Sequence, residues 1–226
     1  MKIQILGDRS SSFNQKYRHK FGQFQFSRSL LGMHDYGDAR EWYLKGDSPI
    51  VVEVVTAKGL DIDQKALDNF STDVKTYTGR QVIVFDVEEI ADGVLSDEDL
   101  AEVVKLHRKQ IVPGQPNFFI IYAEDFQRAG TELAKTYNEY GMVMSDKRLS
   151  EVTAGYPGSV SEYVESTLLH EFGHQLGLEH NNEPNCIMNE KVEKPAELWG
   201  DKIDYIVTKF CETELNQLKA IQAAIK

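Results

Sequence analysis

The order of local signals along the chain predicts an α/β (α+β) fold built on a twisted mixed sheet. Three observations carry this expectation. Three β-branched or aromatic runs, Ile50–Thr56, Gln81–Val87 and Asn117–Ala123, alternate with stretches of helical periodicity, the pattern of a sheet covered by helices. A further helical stretch opens near Ser159, and another fills the C-terminal end. With 226 residues, 41 % of them hydrophobic, the chain can bury one sizeable core, and it carries no internal repeat or low-complexity linker.

Taken in order, Phe21–Ser27 alternates apolar and polar side chains as a half-buried strand does. The stretch to about Ser48 holds Gly32, Gly37 and Gly46 and reads as loop. Ile50–Thr56 is a β-branched strand. Asp61–Tyr77 places Ile62, Ala66, Leu67, Phe70 and Val74 at helical spacing and ends at Gly79. Gln81–Val87 is apolar without interruption, which predicts a central strand. Ser96 opens a helix to about Gln110, with Asp99 at the capping-box position. Pro113, Gly114 and Pro116 break the chain before the strand Asn117–Ala123. Thr131–Tyr137 and Gly141–Ser145 are short strands around a turn at Glu139–Gly141. The loop Gly155-Tyr156-Pro157-Gly158 precedes a helix whose N-terminus falls near Ser159–Ser161. Lys191–Trp199 is irregular, and Asp201–Ile225 reads as one long helix.

Charge and cysteine content narrow the function classes. The net charge is −11, from 25 basic and 36 acidic side chains, which argues against nucleic acid or anionic membrane as a main partner. Only Met1–Leu30 reverses the balance, with Lys2, Arg9, Lys16, Arg18, Lys20 and Arg28 against Asp8; it reads as a solvated basic face or a docking patch. Two cysteines make no disulfide framework. No window approaches a transmembrane span, and Ile3–Leu6 is too short for a signal core. The sequence as it stands suggests a cytoplasmic protein. A secreted or lipid-anchored protein whose leader precedes residue 1 would read the same.

The chemistry concentrates in residues 170–180, HEFGHQLGLEH. On a helix His170 and His174 lie one turn apart and can grip one metal ion. Glu171 sits beside them, where its carboxylate can reach a water on that metal. Gly177 follows three residues later, where a helix can stop with φ > 0 and the chain can turn back to deliver His180. Three neutral imidazoles suit zinc and leave a fourth position for water, as a catalytic site requires. His19, His34 and His107 lie outside any ligand spacing. The expected cofactor is therefore one Zn²⁺ per chain on His170, His174 and His180.

The motif HExxHxxGxxH resembles that of the metzincin clan of zinc endopeptidases, whose members place a methionine turn beneath the metal. Asn185-Cys186-Ile187-Met188-Asn189 supplies the matching turn, with Met188 as its methionine. Within the clan the chain resembles the archaemetzincins. In that family a cysteine follows the third histidine, a Cys-x-Met forms the turn, a CxxC lies further on, and the four cysteines bind a second zinc. Here Cys186 and Cys211 are kept, while Asn181 and Glu214 occupy the other two positions, a poor set for a closed thiolate site. The match is dense over about residues 159–215.

The resemblance implies a metzincin-like zinc peptidase fold with an active-site helix, a Met-turn and a C-terminal helix, acting on a peptide or protein substrate. It implies a catalytic domain over 49–226, with an upper part to about 177 and a lower part from about 178, and residues 1–48 as an extension or first strand and loops. It places Leu133, Ala134, Lys135, Thr136 and Tyr137 on the sheet edge above the cleft, where an extended substrate can add as a strand. It brings the sulfurs of Cys186 and Cys211 together, as a dithiol or a disulfide according to compartment. Where some metzincins carry a tyrosine two residues after the methionine, this chain has Glu190. Leu44-Lys45-Gly46-Asp47 is similar to the Phe-x-Gly-Asp of astacin pro-segments, whose aspartate caps zinc; an ordinary loop turn is the alternative. The leading expectation is a metalloendopeptidase. An aminopeptidase, a narrow processing protease, or a zinc-containing peptide-binding module without catalysis are the other readings.

Overall fold

The structure, a computed structural model, describes residue 17 and residues 35–91, 93–112, 114–127, 130–155, 158–193 and 206–225. The expected strand at Phe21–Ser27, His19, His34 and the charged side chains of Met1–Leu30 lie outside the described residues. The described elements run α1 (Arg40–Leu44), β1 (Ile50–Ala57), α2 (Gln64–Thr78), β2 (Val82–Ile90), β3 (Val94–Leu95), α3 (Asp97–His107), β4 (Asn117–Ala123) and β5 (Asp125–Phe126). Then follow β6 (Ala134–Tyr137), β7 (Gly141–Ser145), α4 (Asp146–Gly155), α5 (Val160–Gln175), a 3₁₀ turn at Glu190–Glu193, and α6 (Glu212–Ala224).

A five-stranded sheet has the order β2-β1-β4-β7-β6. Its first four strands are parallel, and β6 closes one edge antiparallel to β7. The continuous apolar character of β4 follows from burial on both faces. Phe118, Ile120 and Tyr122 point into one core, with Phe70 of α2 and Leu168 and Phe172 of α5. Phe119, Ile121 and Ala123 point into the other, with Leu100 and Val103 of α3. The period-2 geometry of a strand thus splits one apolar run between two layers. Helix α5 is held against α2 by Asn69 Nδ2 donating to Glu165 Oε2 at 2.6 Å. It is tied to the β6–β7 turn by buried Gln175, which donates to the carbonyls of Asn138 and Gly141 at 3.0 and 3.2 Å.

Three expectations need correction. Among the described residues Gln81–Val87 does not form a central strand: β2 has a ladder partner on one side only, β1, and Ile83 and Phe85 are 42 % and 37 % exposed. An apolar run does not determine how many ladder neighbours a strand has. The stretch before Ser48 is not all loop, because α1 forms there and buries Tyr43 against Phe172, ring centroids 5.3 Å apart. Five residues are too few for periodicity to register. The C-terminal helix does not begin at Asp201: residues 206–211 are non-helical and α6 starts at Glu212. Tertiary anchors hold that segment against α2. Lys209 Nζ meets Asp73 Oδ1 at 2.6 Å, and Phe210 packs on Tyr77 with ring centroids 4.6 Å apart.

Candidate active site

Helix α5 starts as its sequence requires. Ser159 caps it by accepting from the Glu162 N–H, and Glu162 reaches back to the Ser159 N–H. Every side chain from Tyr163 to Gln175 is buried, so the helix runs through the molecule rather than along its surface. It ends at Gly177, whose φ of +88° permits the sharp exit that a side chain would oppose. Leu178 N–H then closes on Gly173 O at 3.0 Å, and the chain doubles back.

That turn delivers His180 to the two helix histidines. Its Nε2 lies 3.1 Å from Nε2 of His170 and 3.1 Å from Nε2 of His174. His170 and His174 are 1 % and 4 % exposed, while His180 stands at the open side. The opposite ring nitrogens are occupied: His170 Nδ1 is 2.6 Å from Ile187 O, and His174 Nδ1 is 3.0 Å from Leu178 O. A carbonyl accepts but cannot donate, so both protons sit on Nδ1 and both Nε2 lone pairs face inward. Tetrahedral zinc bonded to nitrogen at 2.0–2.1 Å would set those nitrogens about 3.3 Å apart. The donor set therefore fits zinc in type, tautomer and spacing. Glu171, 0 % exposed, stands next to the first of the three in the chain.

Beneath the histidines lies the Met-turn. Met188 is fully buried and packs on the backbone of α5 at Gly173, where a Cβ would overlap its sulfur. Cys186 and Cys211 are joined in a disulfide with Cα atoms 4.9 Å apart, and among the described residues no cysteine is free. Buried Glu214 accepts from the N–H groups of Met188 and Cys211 at 2.6 and 2.8 Å and from Asn181 Nδ2 at 3.1 Å.

A cleft of about 600 Å³ opens in front of His174 and His180 and is bounded by Ala134, Lys135 and Thr136 of β6. Leu133, one residue before that strand, is buried and accepts from the Ser145 N–H at 2.9 Å. Burial holds the Tyr137 phenol above its ordinary pKa, with the neighbouring Tyr140 adding to the effect. The structure thus brings His174, His180 and β6 into one cleft. Leu44 ends α1, and Lys45, Gly46 and Asp47 form a surface bend after it, where Asp47 is exposed and its charge acts on Arg80. His107 lies apart, 3.1 Å from Glu88.

Sequence reasoning missed Tyr36. Its ring packs on His174 with centroids 4.9 Å apart and lines the cleft. The neighbouring Gly37, φ +74°, lets the backbone approach Gly177: a Cβ on Gly37 would lie 3.2 Å from the Gly177 Cα. Nothing in the spacing of Tyr36 from the histidine motif announces it; only the pair of glycines hints at a close crossing.

Such a fold and such a triad define a zinc metallopeptidase of the metzincin clan. The matrixin model of peptidase family M10 matches residues 11–206, and the chain belongs to that family. No curated protein sequence matches it. Among solved structures, archaemetzincin from Methanopyrus kandleri shares the fold at a TM-score of 0.54 and 17 % identity, covering 79 % of this chain and 98 % of that one. Archaemetzincin from Archaeoglobus fulgidus, complexed with malonate, aligns at 16 % identity and a TM-score of 0.46, covering 74 % and 99 %. A zinc-dependent peptidase from Methanocorpusculum labreanum aligns at 15 % and 0.48, also covering 74 % and 99 %. No described helix is long and apolar enough to cross a membrane.

Proposed function

We propose that this zinc peptidase cuts within extended peptides laid along β6, using one zinc held by His170, His174 and His180 and the carboxylate of Glu171 as its general base. The observation that carries this reading is the convergence of three Nε2 atoms, with the Nδ1 atoms of His170 and His174 already turned to backbone acceptors. Zinc bound there supplies a Lewis acid that polarises a peptide carbonyl and brings the pKa of a water near neutrality. Glu171 takes the proton from the attacking water and hands it to the leaving amine. Its complete burial keeps bulk water from competing for that proton. Among the described residues β6 has a ladder partner on one side only, which leaves its outer edge for an added strand.

On this reading the catalytic domain spans 49–226, its cleft lying between an upper part to about 177 and the lower part that follows. The disulfide favours an oxidising compartment over the reducing cytoplasm. Elemental analysis should return one zinc per chain, lost in His180→Ala. Two zincs per chain would instead mean that Cys186, Cys211 and Glu214 build a second site. Mass spectrometry of a digested peptide library separates the enzyme readings. Internal cuts independent of the substrate's amino terminus support an endopeptidase, and cuts confined to the first residue would replace it with an aminopeptidase.

A further inference from the structure

Glu214 is 0 % exposed and lies in the first turn of α6, yet its carboxylate is spent on the Met-turn. Its Oε1 accepts from the Met188 N–H at 2.6 Å and from Asn181 Nδ2 at 3.1 Å; its Oε2 accepts from Cys211 N–H at 2.8 Å and Ile187 N–H at 3.3 Å. Four N–H donors surround two oxygens, an arrangement suited to an acceptor-only carboxylate.

One of those contacts reaches further than the turn. The Met188 N–H belongs to the peptide unit whose other end is the Ile187 carbonyl, and that carbonyl faces His170 Nδ1 at 2.6 Å. Carboxylate, peptide and imidazole therefore form one hydrogen-bonded chain that ends at a nitrogen aimed into the triad. A charge on the N–H side of an amide increases the electron density on its oxygen, and chained hydrogen bonds strengthen one another in a low-dielectric interior. A ligand histidine whose far N–H meets a stronger acceptor becomes a more basic ligand and is fixed in one orientation. His174 offers an internal reference, because its Nδ1 meets Leu178 O at the longer distance of 3.0 Å.

We infer that Glu214 is a positioning residue for the metal site: through the Ile187–Met188 peptide, its buried charge orients His170 and strengthens it as a ligand. The residue that displaces a structural cysteine of the resembled family thus acts on the catalytic centre. This inference rests on the proposed role of His170 as a zinc ligand.

The test uses the full-length, zinc-loaded protein in two measurements. In ¹⁵N-histidine NMR spectra the His170 Nδ1 proton should resonate downfield of the His174 Nδ1 proton, and Glu214→Gln should move it upfield while leaving His174 in place. In competition with a chelator, Glu214→Gln should weaken zinc binding by about 10- to 100-fold. A brace that merely holds the turn would leave the His170 signal unmoved in a folded Glu214→Gln chain. Coincident His170 and His174 resonances overturn the inference, and that comparison stands even if the variant does not fold. A folded Glu214→Gln chain with native zinc affinity also overturns it while leaving the triad intact. A native chain that binds no zinc overturns both readings together.

Discussion

Reducing the Cys186–Cys211 bond should cost the protein a defined amount of stability. The bond closes a loop with a sequence separation of 25 residues. In the chain-entropy model a loop of that length removes about 3.5 kcal/mol worth of freedom from the unfolded chain. For a chain of this size each kcal/mol moves the melting temperature by roughly 2–4 °C, so reduction should lower it by about 7–14 °C. The assay is thermal unfolding with and without reductant, with alkylation and intact mass confirming the thiol state. Reduction also creates a Cys186–Cys211–Glu214 group able to hold metal, which would restore stability. The comparison is therefore run at one zinc per chain, with a Cys186→Ala/Cys211→Ala chain as the control that cannot regain a ligand. That control should melt with the reduced protein and ignore reductant. If confirmed reduction shifts the midpoint by less than about 2 °C, the loop-closure reasoning fails.

Two further perturbations follow from the packing and the helix cap. Gly173→Ala should destabilise the fold by about 1–3 kcal/mol in urea titrations, since its Cβ meets the Met188 sulfur and Phe210; a gain of about 1 kcal/mol, as helix propensity alone gives, would contradict that contact. Glu162 has its pKa held below the usual carboxylate range by the Ser159 N–H and then the Ser159 hydroxyl. Its contribution is therefore fully present above the unfolded value and is lost as pH falls through the lower folded value. Because the group is exposed and screened, Glu162→Gln should cost no more than about 1 kcal/mol at neutral pH, and the difference from native should vanish once acid has protonated the native carboxyl; a pH-independent difference would assign the effect elsewhere.

Much of the site was legible because its geometry is local. A spacing of four on a helix, a glycine that must stop it and a histidine three residues beyond determine where the three Nε2 atoms meet, with little help from the rest of the chain. The caps at Ser96 and Ser159 were legible for the same reason. What escaped depends on contacts between distant segments. The edge position of β2 is decided by crossovers, and the late start of α6 by Lys209 and Phe210 docking on α2. Tyr36 reaches His174 from more than a hundred positions away in the chain. The role of Glu214 was hidden behind the resemblance itself. The sequence marks it as a missing cysteine, and only the structure reveals the four N–H groups it satisfies.

If Glu171 activates water beside a three-histidine zinc, its loss should abolish hydrolysis and spare zinc binding. Native protein and Glu171→Ala are each brought to one zinc per chain, checked by elemental analysis, and offered the same broad peptide library. The two chains should hold equal zinc and fold alike, with hydrolysis slowed about 10²- to 10⁴-fold or more in the variant. A variant that cleaves at the native rate, or a zinc-loaded native protein that cleaves nothing, would contradict that role for Glu171.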